Sequence, residues 1–169
     1  MTALARHWPW VALFASAALL AIAHAFQTFG HMSPCELCLK QREGYWIAMG
    51  IAIAGLAGRQ LTRGFDATRL VTLLLALAFL AETALAVYHA GVEWKFWPGP
   101  ASCSGGSNHV DPAELERLLS GAKMAIPQCD KPAWVLLGLS MAGWNALAAA
   151  ALTLGSLWAA LTARKAAPA

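Results

Sequence analysis

Charge is what this sequence has least of. Only 12% of its 169 residues are Asp, Glu, Lys or Arg, about half the share found in a soluble domain, while 59% are apolar. A chain of this length forms one domain, so the apolar excess has no second core in which to hide and faces lipid. The basic residues are sparse and scattered and the net charge is only +3, which leaves no patch to neutralise phosphates and excludes a nucleic-acid binder. The lack of polar residues excludes disorder. No glycine pattern for a nucleotide is present, and there is no soluble domain to hold a flavin. Cysteine is limited to four residues, whereas tryptophan, suited to membrane interfaces, occurs eight times.

Four stretches read as membrane spans, at about 8–29, 41–61, 70–92 and 132–163, each near or above the roughly 20 residues that cross about 30 Å of hydrocarbon. The second is free of charge only over 44–58, which reaches about 22 Å as a helix. Extending it to 41–61 draws Arg42 and Glu43 to one interface and Arg59 to the other. Glu82 interrupts the third span; a carboxyl there is costly and often functional, and reads equally as a hydrogen-bonded packing residue. Arg6-His7 and Ala23-His24-Ala25 give the first span some features of a signal peptide, but its uncharged stretch is long for one and further spans follow. Gly50, Gly55 and Gly58 read as sites of close helix packing.

The expected fold is therefore an all-α membrane protein, a four-transmembrane-helix bundle over 1–169 as a single membrane domain. Arg6, Arg59, Arg63, Arg69, Arg164 and Lys165 gather on the side of both termini, which reads as cytoplasmic. The loops at about 30–40 and 93–131 lie opposite. In the longer one, Trp94, Phe96 and Trp97 lead into Pro98-Gly99-Pro100, which no helix continues through. Asp111-Pro112-Ala113-Glu114 then starts a short amphipathic helix with Leu115, Leu118 and Leu119 on one face.

All four cysteines, Cys35, Cys38, Cys103 and Cys129, fall in these two loops or at their membrane edge. An even number of spans separates the loops, so both pairs share one compartment, and the positive-residue pattern makes it the oxidising one. Ser33-Pro34 ahead of Glu36 matches a capping box that sets Cys35 and Cys38 in the first turn of the second span. A helix N-terminus favours thiolate there, with Glu36 opposing. Arg42 lies four residues beyond Cys38, on the same helical face.

Four uses of these cysteines compete. A c-type haem needs His directly after the second Cys, where Leu39 stands. A structural zinc site needs a second close pair, and Cys103 is far from Cys129 in sequence; His24, His31 and His109 are too scattered to make up a ligand set, so no metal is expected. Two structural disulfides in a non-catalytic scaffold or transporter form one surviving reading. The other is a redox relay, in which the short C-x-x-C ring is easily reduced and a Cys103–Cys129 disulfide exchanges with it. A relay requires an electron acceptor. A lipid-soluble quinone fits, with Arg42 beside Cys38 to stabilise both the thiolate and the charge developing on the acceptor.

Pro34-Cys35-Glu36-Leu37-Cys38 with Gln41-Arg42, Tyr88-His89 with Gly91 and Glu93, Trp97-Pro98-Gly99-Pro100 before Cys103, and the later Cys129 together resemble the DsbB family of bacterial disulfide bond formation proteins. The resemblance runs over about 8–163. It implies an inner-membrane protein with cytoplasmic termini and periplasmic cysteines, which reoxidises a DsbA-like thioredoxin-fold oxidase and passes electrons to ubiquinone or menaquinone. It also implies roles: the partner attacks Cys103 and releases Cys129, Cys129 attacks Cys35, and Cys38 is freed facing the quinone, with Arg42 and His89 beside it.

Overall fold

The computed structural model describes residues 3–61, 67–100, 103 and 128–163. These form four helices, α1 (Ala3–Thr28), α2 (Glu36–Leu61), α3 (Thr68–Glu93) and α4 (Met141–Ala163), and one hairpin of β1 (Val135–Leu136) with β2 (Leu139–Ser140). Helices α1, α3 and α4 are long and apolar enough to cross a membrane. The first two turns of α2 carry Glu36, Lys40, Arg42 and Glu43 and its last turn Arg59, which dilutes an otherwise apolar helix. The architecture is that of a helical membrane protein. The amphipathic helix expected at 111–119 lies outside the described residues.

The helices pack in a ring, α1 on α2, α2 on α3, α3 on α4 and α4 back on α1, with the α3–α4 contact the most extensive. On α2 the buried stripe is Tyr45, Ala48, Ala52 and Gly55, a helical repeat of mostly small residues. It meets Leu75 and Phe79 of α3, Ala12 and Leu20 of α1 and Leu152 of α4. Large apolar side chains such as Phe14, Ile47, Leu77 and Leu154 point outward. This inside-out distribution suits lipid, where close approach of small residues rather than burial from water holds helices together.

Two glycines show how tight that approach is. The Trp8 ring lies across Gly155, where a Cβ would collide with it, and Trp8 Nε1 donates to Ser156 Oγ at 2.8 Å. Gly55 faces Val71 at a distance that a Cβ would bring to 2.6 Å. Of the glycines expected at helix contacts, Gly55 is at one, whereas a side chain at Gly50 would meet no described atom within 4 Å.

Near the start of α4, polar groups join three helices. Tyr45 of α2 donates to Asn145 Oδ1 at 2.5 Å, and Asn145 Nδ2 of α4 donates to Glu82 Oε1 of α3 at 2.9 Å. Gly44 leaves room for the Glu82 carboxyl, which any side chain at 44 would displace. Glu82 is thus hydrogen-bonded inside the bundle rather than exposed to lipid.

The fourth span departs from the sequence reading. The uncharged stretch from 132 is not one helix: Val135–Ser140 turn back as a hairpin before α4 begins at Met141. Leu137 and Gly138 at its tip have φ of 52° and 80°, as a two-residue turn of the kind matching strand twist requires. Ser140 then caps α4, its Oγ accepting the Gly143 N–H at 3.1 Å. The 23 residues that remain rise about 35 Å, enough to cross unaided. Hydrophobicity alone could not locate this start, because the hairpin is as apolar as the helix.

Gly155→Ala should lower the stability of the detergent-solubilised protein by about 1–3 kcal/mol, the usual cost of overpacking, while Gly50→Ala should leave it unchanged or slightly raised. Thermal unfolding followed by circular dichroism checks both; equal effects would refute the packing assigned to Trp8.

Candidate functional site

At one end of the bundle the start of α2, the end of α3 and the segment before α4 converge. The α2 cap is Cys35, not Ser33: its carbonyl accepts the Leu39 N–H at 3.1 Å and its Sγ the Cys38 N–H at 3.3 Å. Ser33 and Pro34 lie ahead of the helix, which starts at Glu36. Glu36 pairs outward with Lys40 at 3.1 Å.

Cys35 and Cys38 are free thiols with sulfurs 2.7 Å apart, both ahead of the stretch 41–61 read as crossing the membrane. They share a proton unequally. The hydrogen bond from Cys35 holds Cys38 down to about 7 against the opposing effect of burial; a backbone hydrogen bond from Cys35 and the more distant Arg42 charge help, and Glu93 opposes. The hydrogen bond to Cys38, burial and the neighbouring charge push Cys35 up. Cys38 is therefore the thiolate of the pair.

Helix α3 brings His89 to the same place, its Nε2 3.6 Å from Cys35 Sγ and 3.9 Å from Glu93 Oε1. The Cys129 backbone lies against the same ring. Glu93 accepts a hydrogen bond from Ser140, the α4 cap, so the ends of α3 and α4 are latched together. The chain leaves α3 by a Schellman turn: Lys95, at φ 62°, donates its N–H to Val92 O at 3.1 Å, and Phe96 N–H reaches Gly91 O at 2.9 Å. Trp97 then folds back over Gly91, stacks on Tyr88 with centroids 6.0 Å apart, and donates to the Tyr88 carbonyl at 2.9 Å. Gly91 permits this; any side chain there would strike the indole.

This return path delivers the second cysteine pair. Cys103 and Cys129 form a disulfide with Cα atoms 5.3 Å apart, packed in one apolar cluster with Cys35, Leu37 and Val92. Lys95 holds the segment down, its Nζ donating to the Asp130 carboxylate at 2.5 Å and the Asp130 carbonyl at 2.7 Å. That hydrogen bond keeps the exposed Asp130 carboxyl below the usual carboxylate range. Beside the disulfide, Cys103, Lys95, Trp97 and Asp130 line an open cleft of about 290 Å³.

A second cavity, about 570 Å³ and lined mainly by apolar groups, opens beside the thiols. Its walls are Leu19, Ile22, Ala23 and Phe26 of α1, Cys38, Gln41, Arg42 and Tyr45 of α2, His89 and Glu93 of α3, and Met141 and Asn145 of α4. Its volume lies in the range of small-molecule sites. Gln41 is buried, and its Nε2 has no hydrogen-bond partner among the described residues, so a donor on the cavity wall awaits an acceptor. Arg42 shares the wall with Cys38, as expected, but its guanidinium is held by α1: Nη1 donates to Gln27 Oε1 at 2.5 Å and Nη2 to Ala23 O at 3.2 Å.

All six residues singled out from the sequence, Cys35, Cys38, Cys103, Cys129, Arg42 and His89, gather at this end. Gln41, Glu93 and Gln27 were not singled out as site residues. Gln41 had a visible signal, its place on the i, i+3, i+4 face shared by Cys38, Arg42 and Tyr45; Gln27 had none, because its partner lies on another helix.

A family model described as Disulfide bond formation protein DsbB matches residues 5–159. A protein named Disulfide bond formation protein B from Dechloromonas aromatica (strain RCB) is 35% identical over 136 residues, which cover 76% of each chain. Namesakes from Azoarcus sp. (strain BH72) and Verminephrobacter eiseniae (strain EF01-2) are 31% and 32% identical, over 88% and 89% of this chain and 88% and 81% of theirs. The fold, the two cysteine pairs and these similarities agree: the chain belongs to the DsbB family of disulfide bond formation proteins, membrane proteins with a thiol–disulfide oxidoreductase role.

Proposed function

We infer that the protein reoxidises a DsbA-like periplasmic thioredoxin-fold oxidase and passes the electrons to a membrane quinone. The observation that carries this reading is the convergence of two chemically different cysteine pairs in one apolar cluster at the bundle end, with Cys35 and Cys38 opening on a mostly apolar cavity and Cys103 on the cleft beside it.

The Cys103–Cys129 bond beside the open cleft is the entry point. A partner thiolate attacks Cys103, the disulfide opens, and Cys129 leaves as thiolate. Cys129 attacks Cys35 of the Cys35–Cys38 disulfide, with which it shares an apolar cluster, forming a Cys35–Cys129 bond and releasing Cys38 as thiolate. The partner's second thiolate breaks the partner–Cys103 bond and the partner leaves oxidised; Cys103 then attacks Cys129, which re-forms Cys103–Cys129 and frees Cys35. Cys38 is suited to leave because it is the better-stabilised anion of its pair. In the structure the Cys103–Cys129 bond is closed and Cys35 and Cys38 are thiols, the form from which the Cys35–Cys38 pair hands on its electrons.

The cavity suits a quinone: apolar walls for the ring and tail, the Gln41 amide for an oxygen, and Arg42 and Cys38 side by side on α2. Bound there, a quinone supplies a two-electron acceptor that allows the Cys35–Cys38 disulfide to re-form. Cys38 presents the thiolate, Arg42 contributes positive charge beside it, and His89 orders Cys35 and the Cys129 backbone against each other. The α1 residues Leu19, Ile22 and Phe26 exclude water from the wall facing lipid. The same reading assigns both termini to the cytoplasm and all four cysteines to the periplasm.

Cys38→Ser should abolish quinol formation from quinone and a reduced thioredoxin-like partner while leaving the helical spectrum intact; full activity would sink the relay and leave two structural cysteine pairs. Cys129→Ser should accumulate a mixed disulfide between Cys103 and the partner, visible on a non-reducing gel, and its absence would remove the assigned entry point. In the reduced protein, alkylation of Cys38 should rise with pH to half its maximum near pH 7, since the thiolate is the reactive form and its pKa is lowered to about 7. A midpoint near that of a free thiol, about 8.5, would contradict the hydrogen-bonded pair.

A further inference from the structure

The ligand set that the cysteine spacing did not offer is assembled by the fold. Cys35 Sγ, Cys38 Sγ and His89 Nε2 all lie within 4.8 Å of one another. Two thiols and an imidazole are the donors that select zinc and other thiophilic divalent ions. Zinc bond lengths of about 2.3 Å to sulfur and 2.0–2.1 Å to nitrogen, at tetrahedral angles, set a ligand-to-ligand distance of about 3.6 Å between S and N and about 3.8 Å between two sulfurs. Cys35 Sγ is 3.6 Å from His89 Nε2. The two sulfurs, 2.7 Å apart, need to part by about 1 Å, within reach of a side-chain rotation in the first turn of a helix. Glu93 Oε1 lies 3.9 Å from His89 Nε2, near the cluster but outside the set of donors within 4.8 Å of one another.

The surrounding charges are mixed, with Arg42 sharing the cavity wall with Cys38. Glu93 is the carboxylate facing the cluster; Arg42 is turned toward Gln27 and Ala23 of α1, and Lys40 toward Glu36. The burial of Cys35 and His89 limits competition from water.

We propose that the reduced Cys35–Cys38 pair, together with His89, binds Zn²⁺ or a comparable thiophilic divalent cation, and that the bound ion holds the dithiol out of electron transfer. Binding exchanges thiol protons for metal–sulfur bonds, so up to two protons are released and no electrons move. The Cys35–Cys38 disulfide has no thiolate to offer and does not bind, which makes the site specific for the electron-loaded form. Binding stands on the geometry alone; only its inhibitory consequence rests on the relay.

The test uses the full chain in detergent with Cys103→Ser and Cys129→Ser, so that one dithiol remains, reduced, desalted and titrated with zinc against a chromophoric chelator. One zinc per chain is expected for the reduced form and none for the oxidised form. His89→Ala should weaken binding by more than about tenfold, the lower end of what even outer partners of metal ligands contribute, and His89→Cys should restore it. Folding of each variant is read from its helical spectrum, and the oxidised parent is a comparison that needs no variant at residue 89. No zinc on the reduced chain, equal binding to the oxidised form, or unchanged affinity in His89→Ala would overturn the site. Quinol formation by the wild-type protein should be lost with zinc and recover with chelator; activity unaffected by bound zinc would overturn the inhibitory role. A metal-free wild-type protein that makes no quinol would instead mark a failure of the relay, separate from the binding result.

Discussion

The contact between His89 and Cys35, buried between the C-terminal end of α3 and the cap of α2, is the constraint on which the rest of this end of the molecule depends. A helix start and a helix end must be antiparallel neighbours for it to form, which the α2–α3 packing provides. Each nearby feature then follows from how α3 stops. Lys95 in a left-handed conformation turns the chain back, Trp97 seats on Gly91, and the segment with Cys103 returns over Val92 rather than running out into solvent. Glu93, the last residue of α3, meets the cap of α4 through Ser140. Three chain segments are fixed by one helix terminus.

The bundle below uses polar groups sparingly, several of them in hydrogen-bonded sets. Tyr45, Asn145 and Glu82 draw on three helices, and Thr83 and Thr153 add an α3–α4 link at 3.2 Å. Because lipid offers no advantage to burying apolar surface, such links specify which helix faces which, while the alanine-rich stripe sets how near they come. The cavity lies above this polar layer: Tyr45 and Asn145 contribute to its floor and to the layer at once. The site and the bundle therefore share side chains and are not separable modules.

Much of this was legible in the sequence. Long uncharged runs marked the helices because hydrocarbon thickness demands a minimum length, and the loops bearing Cys35, Cys38, Cys103 and Cys129 could be assigned to one end by counting spans. What stayed hidden had local or long-range causes. The hairpin before α4 is apolar throughout, so composition could not separate it from a helix. The Ser33 cap failed because the helix starts two residues later than the capping-box pattern suggests, leaving Cys35 to cap with its own sulfur. Gly50 and Gly55 look alike in sequence and differ only in having or lacking a neighbour at Val71. The grip of α1 on Arg42 depends on a contact between Gln27 and a residue 15 positions later across a turn, for which no motif exists.

That grip has a consequence for how the protein is made. Helix α1 supplies one wall of the cavity and both partners of the Arg42 guanidinium, while His89, Glu93 and Asn145 come from helices synthesised later. During biogenesis the Cys35–Cys38 pair is inserted before the groups that enclose it. It is open to stray oxidants and thiols until α4 docks, so a nascent chain is chemically vulnerable in a way that the finished bundle is not.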